Sequence, residues 1–196
     1  EIRAQLESIG SIFSSTMDSE VIVHRLARSN AASPELQLAE ALDGVEGAYS
    51  ILVLINDTLL AARDPNGWRP LVMGRLGDAV IFASETCALD IVGATIEREI
   101  LPGEIVAIDA AGIRSIQRPA APVLHKCVFE YVYFARPDSQ IFGGSVDRAR
   151  RALGRQLAIE HPAPGADFVF AVPDSSNAAA LGYAEASGLR LEHALI

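Results

Sequence analysis

The alternation of apolar and polar residues divides the chain into stretches of different period. "EIRAQLESIG" at the start predicts the end of a helix closed by Gly10, a residue that adopts the left-handed C-terminal conformation at little cost. "SIFSST" predicts a short strand. Val21, Ile22, Leu26 and Ala27 then fall near helical spacing behind Asp18 or Ser19, either of which can cap a helix running to about Ser29. In "SPELQLAEALDGVEG", Ser33 as N-cap, Pro34 at the first helical position and a glycine after the run predict a third helix.

From Ala48 the period shortens. "AYSILVLI", "TLLAAR", "PLVMGRL" and "AVIFAS" are apolar runs separated by Asn56-Asp57, Asp64-Pro65-Asn66-Gly67 and Gly77-Asp78, a pattern that predicts an antiparallel meander. Their nearly continuous hydrophobicity predicts burial on both faces. "TCALDIVGA" predicts a short helix, "GEIVAIDAAGIRSI" a hairpin turning at Ala110 to Gly112, and "QRPAAPV" a linker. Next comes "CVFEYVYFARPDS", residues 127–139, with Phe129, Tyr131, Tyr133 and Phe134 within six positions. Strand alternation would send Phe129, Tyr131 and Tyr133 to one face, expected to be buried at a seam between domains, and Val128, Glu130 and Val132 to the other. A helix over about Ser145 to Glu160 follows, with Val146, Ala149, Leu153, Leu157 and Ala158 on one face. The strand "ADFVFAVP" and the helix "NAAALGYAEASG" complete a βα unit, and a second begins at "LRLEHALI".

Composition narrows the function classes. At 196 residues, half of them hydrophobic, the chain suits one large or two incomplete domains. A net charge of −9 argues against nucleic acid or an anionic membrane as partner, since phosphate backbones require a positive surface. The aromatic stretch is therefore not read as a base-stacking platform. Cys87 and Cys127 form neither a disulfide framework nor a Cys-x-x-Cys pair, which suits a reducing cytoplasm. No apolar run reaches the roughly 20 residues of a spanning helix. The chain opens without a secretory signal or a methionine and with a helix already under way, so residues are expected upstream.

Candidate chemistry is concentrated in a few places. In "VFAVPDSSNAAALGYA" a strand ends in Asp174, Ser175 and Ser176 just before a small-residue helix. Hydroxyls and a helix N-terminus at one point suit a phosphate or metal–phosphate ligand, or Asp174 or Ser175 is a plain helix cap. Arg69 beside Trp68 offers a fork for a carboxylate or a stacked structural arginine. Asp18 at a helix start can stay ionised and hold an ammonium group, or serve as a cap. Cys87 reads as a small apolar packing residue. His24, His125, His161 and His193 are scattered without zinc-site spacing, and no Gly-x-Ser-x-Gly, Walker A or Gly-x-Gly-x-x-Gly pattern occurs.

In order along the chain, "GSIF", "DSEVIVH", "GAYS", "RDPNGWRPLVMGRLGD", "ASETCALD", "PGEIVAID", "FEYVYFARPDS" and "VPDSSNAAALGYAEASG" resemble the glutamine phosphoribosylpyrophosphate amidotransferases of purine synthesis. The resemblance implies an α+β and α/β chain: residues 1–116 from an N-terminal-nucleophile hydrolase glutaminase, an αββα sandwich, a linker at 117–126, and residues 127–196 opening a type I phosphoribosyltransferase α/β domain. It implies that glutamine-derived ammonia displaces pyrophosphate from phosphoribosyl pyrophosphate to give phosphoribosylamine, in a cytoplasmic homotetramer. Asp18 matches the carboxylate that grips the glutamine α-amino group. Asp174, Ser175 and Ser176 match the pyrophosphate-side loop, Ser175 at a position associated with magnesium. Cys127 matches a position that supplies one of four cysteine ligands in the subgroup with a 4Fe-4S cluster and is a buried cysteine in other members.

Two positions depart from the pattern: Met17 stands where a small hydroxyl residue is expected, and Trp68 replaces a smaller apolar side chain. The nucleophilic cysteine, an arginine and an Asn-Gly oxyanion hole are expected before Glu1, and the acidic phosphoribosyl-binding loop after Ile196, so the 196 residues alone are expected to be inactive. Two other readings stand beside this one. One is another glutaminase of the same class, such as a glucosamine-phosphate synthase or asparagine synthetase, against which "VPDSS" counts. The other is a noncatalytic scaffold that keeps the fold.

Overall fold

The first helix forms as α1 (Ile2–Ser8), and its end follows from Gly10 at φ +92°. The Gly10 amide donates to Glu7 O and the Ser11 amide to Leu6 O, the paired bonds of a Schellman closure. In the computed structural model, which describes residues 1–195, the chain separates into two compact units. One comprises Glu1–Trp68 with Ile100–His125, the other Arg69–Glu99 with Lys126 onward. This partition differs from the sequence division at 117–126, because residues 69–99 pack with the later part of the chain.

In the first unit, α2 (Glu20–Leu26) and α3 (Pro34–Ala41) cover one face of an antiparallel sheet. The sheet is built from β1 (Ser50–Ile55) and β2 (Thr58–Arg63), with β6 (Glu104–Asp109) and β7 (Gly112–Gln117) completing the order β1-β2-β6-β7. Asn56 takes a left-handed conformation in the tight β1–β2 turn. Ile22, Leu38, Leu42, Leu60, Ala62, Ile105 and Ala107 form the core between helices and sheet. β2 is buried on both faces as expected, and so is most of β6, but β1 is not: Leu52 and Leu54 are 51% and 70% exposed.

The expected meander is two sheets. After β2 the Asp64 carboxylate accepts the amides of Asn66 and Trp68, and the buried Arg63 donates to Ile100 O and Gly67 O. The chain is thereby turned away from β2, whose free edge is taken by β6. The segment expected as a linker is tied to the same unit, with Arg118 donating to the Tyr49 hydroxyl and Leu42 O, and His125 stacked on Trp68. "SIFSST" is not a strand, because its serine groups are engaged by Glu20 rather than by a neighbouring ladder.

The second unit contains β3 (Val72–Leu76), β4 (Ala79–Ala83) and β5 (Thr95–Glu99) in the order β4-β3-β5, with α4 (Thr86–Val92) against them. β5 escaped the sequence reading because "TIERE" lacks an apolar alternation. Gly74 lets α4 approach: a Cβ there would lie 2.8 Å from a Leu89 methyl. Residues 127–139 are not a strand either. Glu130–Phe134 form a wide π-helical turn, closed by the Ala135 amide on Glu130 O. Aromatic and β-branched residues favour strands only weakly, and tertiary partners override them here. Arg150, itself buried, donates to Tyr131 O (2.6 Å) and Ala135 O (2.8 Å). Phe129 and Tyr133 are 56% and 64% exposed, against the expectation that both are buried.

Beyond the short hairpin β8 (Gln140–Ile141) and β9 (Gly144–Ser145), α5 (Val146–Glu160) starts with the Ser145 hydroxyl accepting the Arg148 amide. Its buried positions are Val146, Arg150, Gly154 and Ala158, whereas Leu153 and Leu157 are exposed. The expected apolar face is thus corrected by the packing of α6 (Asn177–Ser187), whose backbone reaches Gly154. β10 (Phe168–Val169) and β11 (Arg190–Leu191) pair in parallel around α6, giving a βαβ unit with shorter strands than expected. Ile196, the end of the expected second unit, lies outside the described residues.

Candidate functional site

Asp18 sits on the loop between α1 and α2, one residue before the position that caps α2. It is exposed, and among the described residues its carboxylate has no hydrogen-bond or ionic partner, so the cap alternative does not hold for its side chain. It lines a cleft of about 880 Å³ within the first unit, together with Ser19, Ile22, Tyr49, Ser50 and Ile51. The Ser50 hydroxyl, also on this lining, is buried and unpaired. A free carboxylate and a spare hydroxyl beside aliphatic and aromatic walls suit a small ligand carrying an ammonium group.

The loop that carries Asp18 is tightly organised. Glu20, the first residue of α2, reaches back in the manner of a capping-box carboxylate. Its Oε1 accepts the Ser14 amide (2.8 Å) and hydroxyl (3.0 Å), and its Oε2 the Ser15 amide (3.0 Å) and hydroxyl (2.6 Å). The Ser15 hydroxyl and the Ser14 amide, chief among these donors, hold the Glu20 carboxyl down to about 2. Arg3 donates to Ser15 O and Met17 O, both at 3.0 Å, and lies over the Phe13 ring. Sequence reasoning missed Arg3, Ser14, Ser15 and Glu20. The available signal was a serine pair five to six residues before a glutamate in a helical first turn.

In the second unit, Asp174, Ser175 and Ser176 form the turn between β10 and α6. Ser176 occupies the N-cap position without capping through its side chain, and its hydroxyl donates to Val172 O. Among the described residues the side chains of Asp174 and Ser175 have no partner, so neither is a cap. Asn177 and Ala178 line a pocket of about 290 Å³ with Arg151 and His193, whereas Asp174, Ser175 and Ser176 lie outside that lining. Asp174 and Ser175 offer hard oxygen donors of the kind magnesium takes beside a substrate phosphate.

Arg69 does meet a carboxylate, donating to Glu130 Oε1 at 2.7 Å and lying 4.7 Å from the Phe134 ring, while Trp68 stacks elsewhere. Cys87 is buried as expected, and Cys127 is half-buried. Among the described residues no three His, Cys, Asp or Glu side chains gather as a metal site. Four thiolates are needed for an iron–sulfur cluster, and these residues supply two, one of them committed to packing. Residues 1–195 therefore do not fit a cluster by themselves.

Residues 1–90 match the family described as the glutamine amidotransferase domain. Over 196 residues, all of this chain, there is 45% identity to an amidophosphoribosyltransferase of Bacillus subtilis (strain 168), of which the chain covers 41%. Chloroplastic amidophosphoribosyltransferases of Vigna aconitifolia and Arabidopsis thaliana (number 2) are 48% and 45% identical over the whole chain, covering 40% and 35% of those proteins. The structure of glutamine phosphoribosylpyrophosphate amidotransferase from B. subtilis complexed with ADP and GMP superposes with a TM-score of 0.91 at 45% identity, over 100% of this chain and 43% of that one. The chain thus spans between a third and about two fifths of the length of the curated relatives it matches.

Proposed function

We propose, from the chain's kinship along its whole length with amidophosphoribosyltransferases, that the protein carrying it makes phosphoribosylamine from glutamine and phosphoribosyl pyrophosphate. The first unit carries part of a glutaminase of the N-terminal-nucleophile class. A cysteine thiolate outside these residues attacks the side-chain amide of glutamine, ammonia leaves, and water releases glutamate. The ammonia lone pair then forms a bond to C1 of the sugar, the bond from C1 to pyrophosphate oxygen breaks with its electrons, and a proton is lost from nitrogen.

Within this reaction Asp18 takes the α-amino group of glutamine and fixes the amide relative to the nucleophile. Asp174, Ser175 and Ser176 face the pyrophosphate, where magnesium, held in part by Ser175, would offset charge on the leaving group. The βαβ unit of β10, α6 and β11 suits the opening of a phosphoribosyltransferase domain. A homotetramer in the cytoplasm completes the reading; among the described residues no helix is long and apolar enough to cross a membrane.

The observation that carries the reading is the unengaged Asp18 carboxylate on a braced loop at a cleft, inside the stretch that matches the glutamine amidotransferase domain. In the full-length enzyme, Asp18→Asn is expected to lower glutamine-dependent synthesis about a hundredfold and to spare synthesis from added ammonium. Retention of glutamine-dependent activity would refute the role of Asp18. Absence of synthesis from either nitrogen source in the parent enzyme would favour the noncatalytic reading.

A further inference from the structure

Met17, the residue before Asp18, is held through both of its backbone polar groups. Met17 N–H donates to the Ser15 hydroxyl at 3.2 Å, and that hydroxyl donates in turn to Glu20 Oε2 at 2.6 Å. Met17 O, in the same peptide group as the Asp18 nitrogen, accepts from Arg3. The other Glu20 oxygen collects both donors of Ser14. The side chain of Glu20 is only 15% exposed, and Arg3 lies 4.0 Å from the same carboxylate. Asp18 itself has no local partner, so nothing but the backbone sets where its carboxylate stands.

We propose that Glu20, Ser15 and Arg3 are positioning residues for glutamine recognition: they brace the Met17 peptide and so hold Asp18 at the distance the substrate α-amino group requires. The inference rests on the reading of Asp18 given above. It follows from bond geometry rather than from simple charge. Glu20→Gln would place an NH₂ group against a backbone amide that can only donate, so that bond of the brace is lost even though size is kept. Ser15→Ala cuts the relay between Glu20 and Met17 N–H while leaving the carboxylate in place.

The test compares glutamine with glutaramate, which is glutamine lacking the α-amino group, as nitrogen donors for the full-length enzyme. The readout is the ratio of the two kcat/KM values, a preference that a general loss of stability does not change. The parent prefers glutamine, and Asp18→Asn removes that preference. Glu20→Gln, Ser15→Ala and Arg3→Met are each expected to reduce it about tenfold through KM for glutamine, with glutaramate turnover and ammonium-dependent synthesis held. Loss of the preference in Asp18→Asn but not in Glu20→Gln and Ser15→Ala overturns the bracing role alone. Equal losses with both donors in all three brace variants also overturn it, as a folding defect. An unchanged preference in Asp18→Asn overturns the glutamine reading of Asp18 and the brace with it.

Discussion

Replacing Gly154 with alanine tests the packing of the second unit at its closest point. A Cβ on Gly154 would stand 1.9 Å from Ala179 O and 2.7 Å from the carbonyl carbon, and a Cβ on Gly182 2.1 Å from Arg151 O. These neighbours are helical backbone and cannot rotate away, so α5 and α6 must separate by about 1.5 Å to reach ordinary contact. Overpacking of this kind costs about 1–3 kcal/mol, against which alanine recovers about 1 kcal/mol of helix propensity. Because the clash is with main chain on a buried face, we expect a net loss of about 2 kcal/mol. Hydrogen exchange of α5 and α6 amides reads this locally, including those around Tyr183, whose hydroxyl donates to His161 O at 2.9 Å. Gly182→Ala should behave alike, and the double variant should lose less than the sum, since one separation relieves both clashes. Gln156→Ala, on the exposed side of α5, is the control. A Gly154→Ala protein within 0.5 kcal/mol of the parent would refute the close crossing.

Three further outcomes follow from the geometry. Arg150→Met leaves Tyr131 O and Ala135 O without their donor and should cost about 2 kcal/mol, seen as loss of exchange protection across residues 130–135. Glu20 has a folded carboxyl near 2 against an ordinary 4.5, so its contribution is fully present above about 4.5 and is lost as pH falls toward about 2; the protection of the Ser14 and Ser15 amides, taken relative to the intrinsic exchange rate at each pH, should fall over that acid window and stay constant above it. Cys127, half-buried, should react with a thiol reagent while the protein stays folded, and Cys87 only on unfolding.

Elements whose boundaries depend on local chemistry were legible in the sequence. Pro34 and Ser33 placed α3, Asn56-Asp57 placed the β1–β2 turn, and "TLLAAR" is β2 residue for residue. What was not legible depends on partners distant in sequence. The apolar runs of β2 and β3 look like neighbours until the Asp64 turn and the Arg63 guanidinium are seen to hand the edge of β2 to β6, more than forty residues later. The wide turn at Glu130–Phe134 depends on Arg69 and Arg150, whose carbonyl and carboxylate partners no periodicity reveals.

The candidate site divides along the same line. Asp18 drew attention because a carboxylate at a helix start has a recognised chemistry, and its unpaired side chain is what a binding residue requires. Arg3 and Glu20 have ordinary residue types at ordinary surface positions, and only their bonds to the Met17 peptide and to Ser15 distinguish them. A free side chain is useful for recognition only if its backbone is not free. At Asp18 the two requirements are met by different residues, one visible as chemistry and the others visible only as geometry. The same division is absent at Asp174 and Ser175: their side chains are unpaired too, but in the described residues the local side-chain support is one bond, from Ser176 to Val172 O. On the proposed pyrophosphate role of Asp174 and Ser175, we therefore expect exchange at the 173–176 amides to slow on addition of magnesium and phosphoribosyl pyrophosphate to the full-length protein. Glutamine should leave exchange at Met17 and Asp18 nearly unchanged, and comparable slowing at both loops would show that the first is not braced in advance.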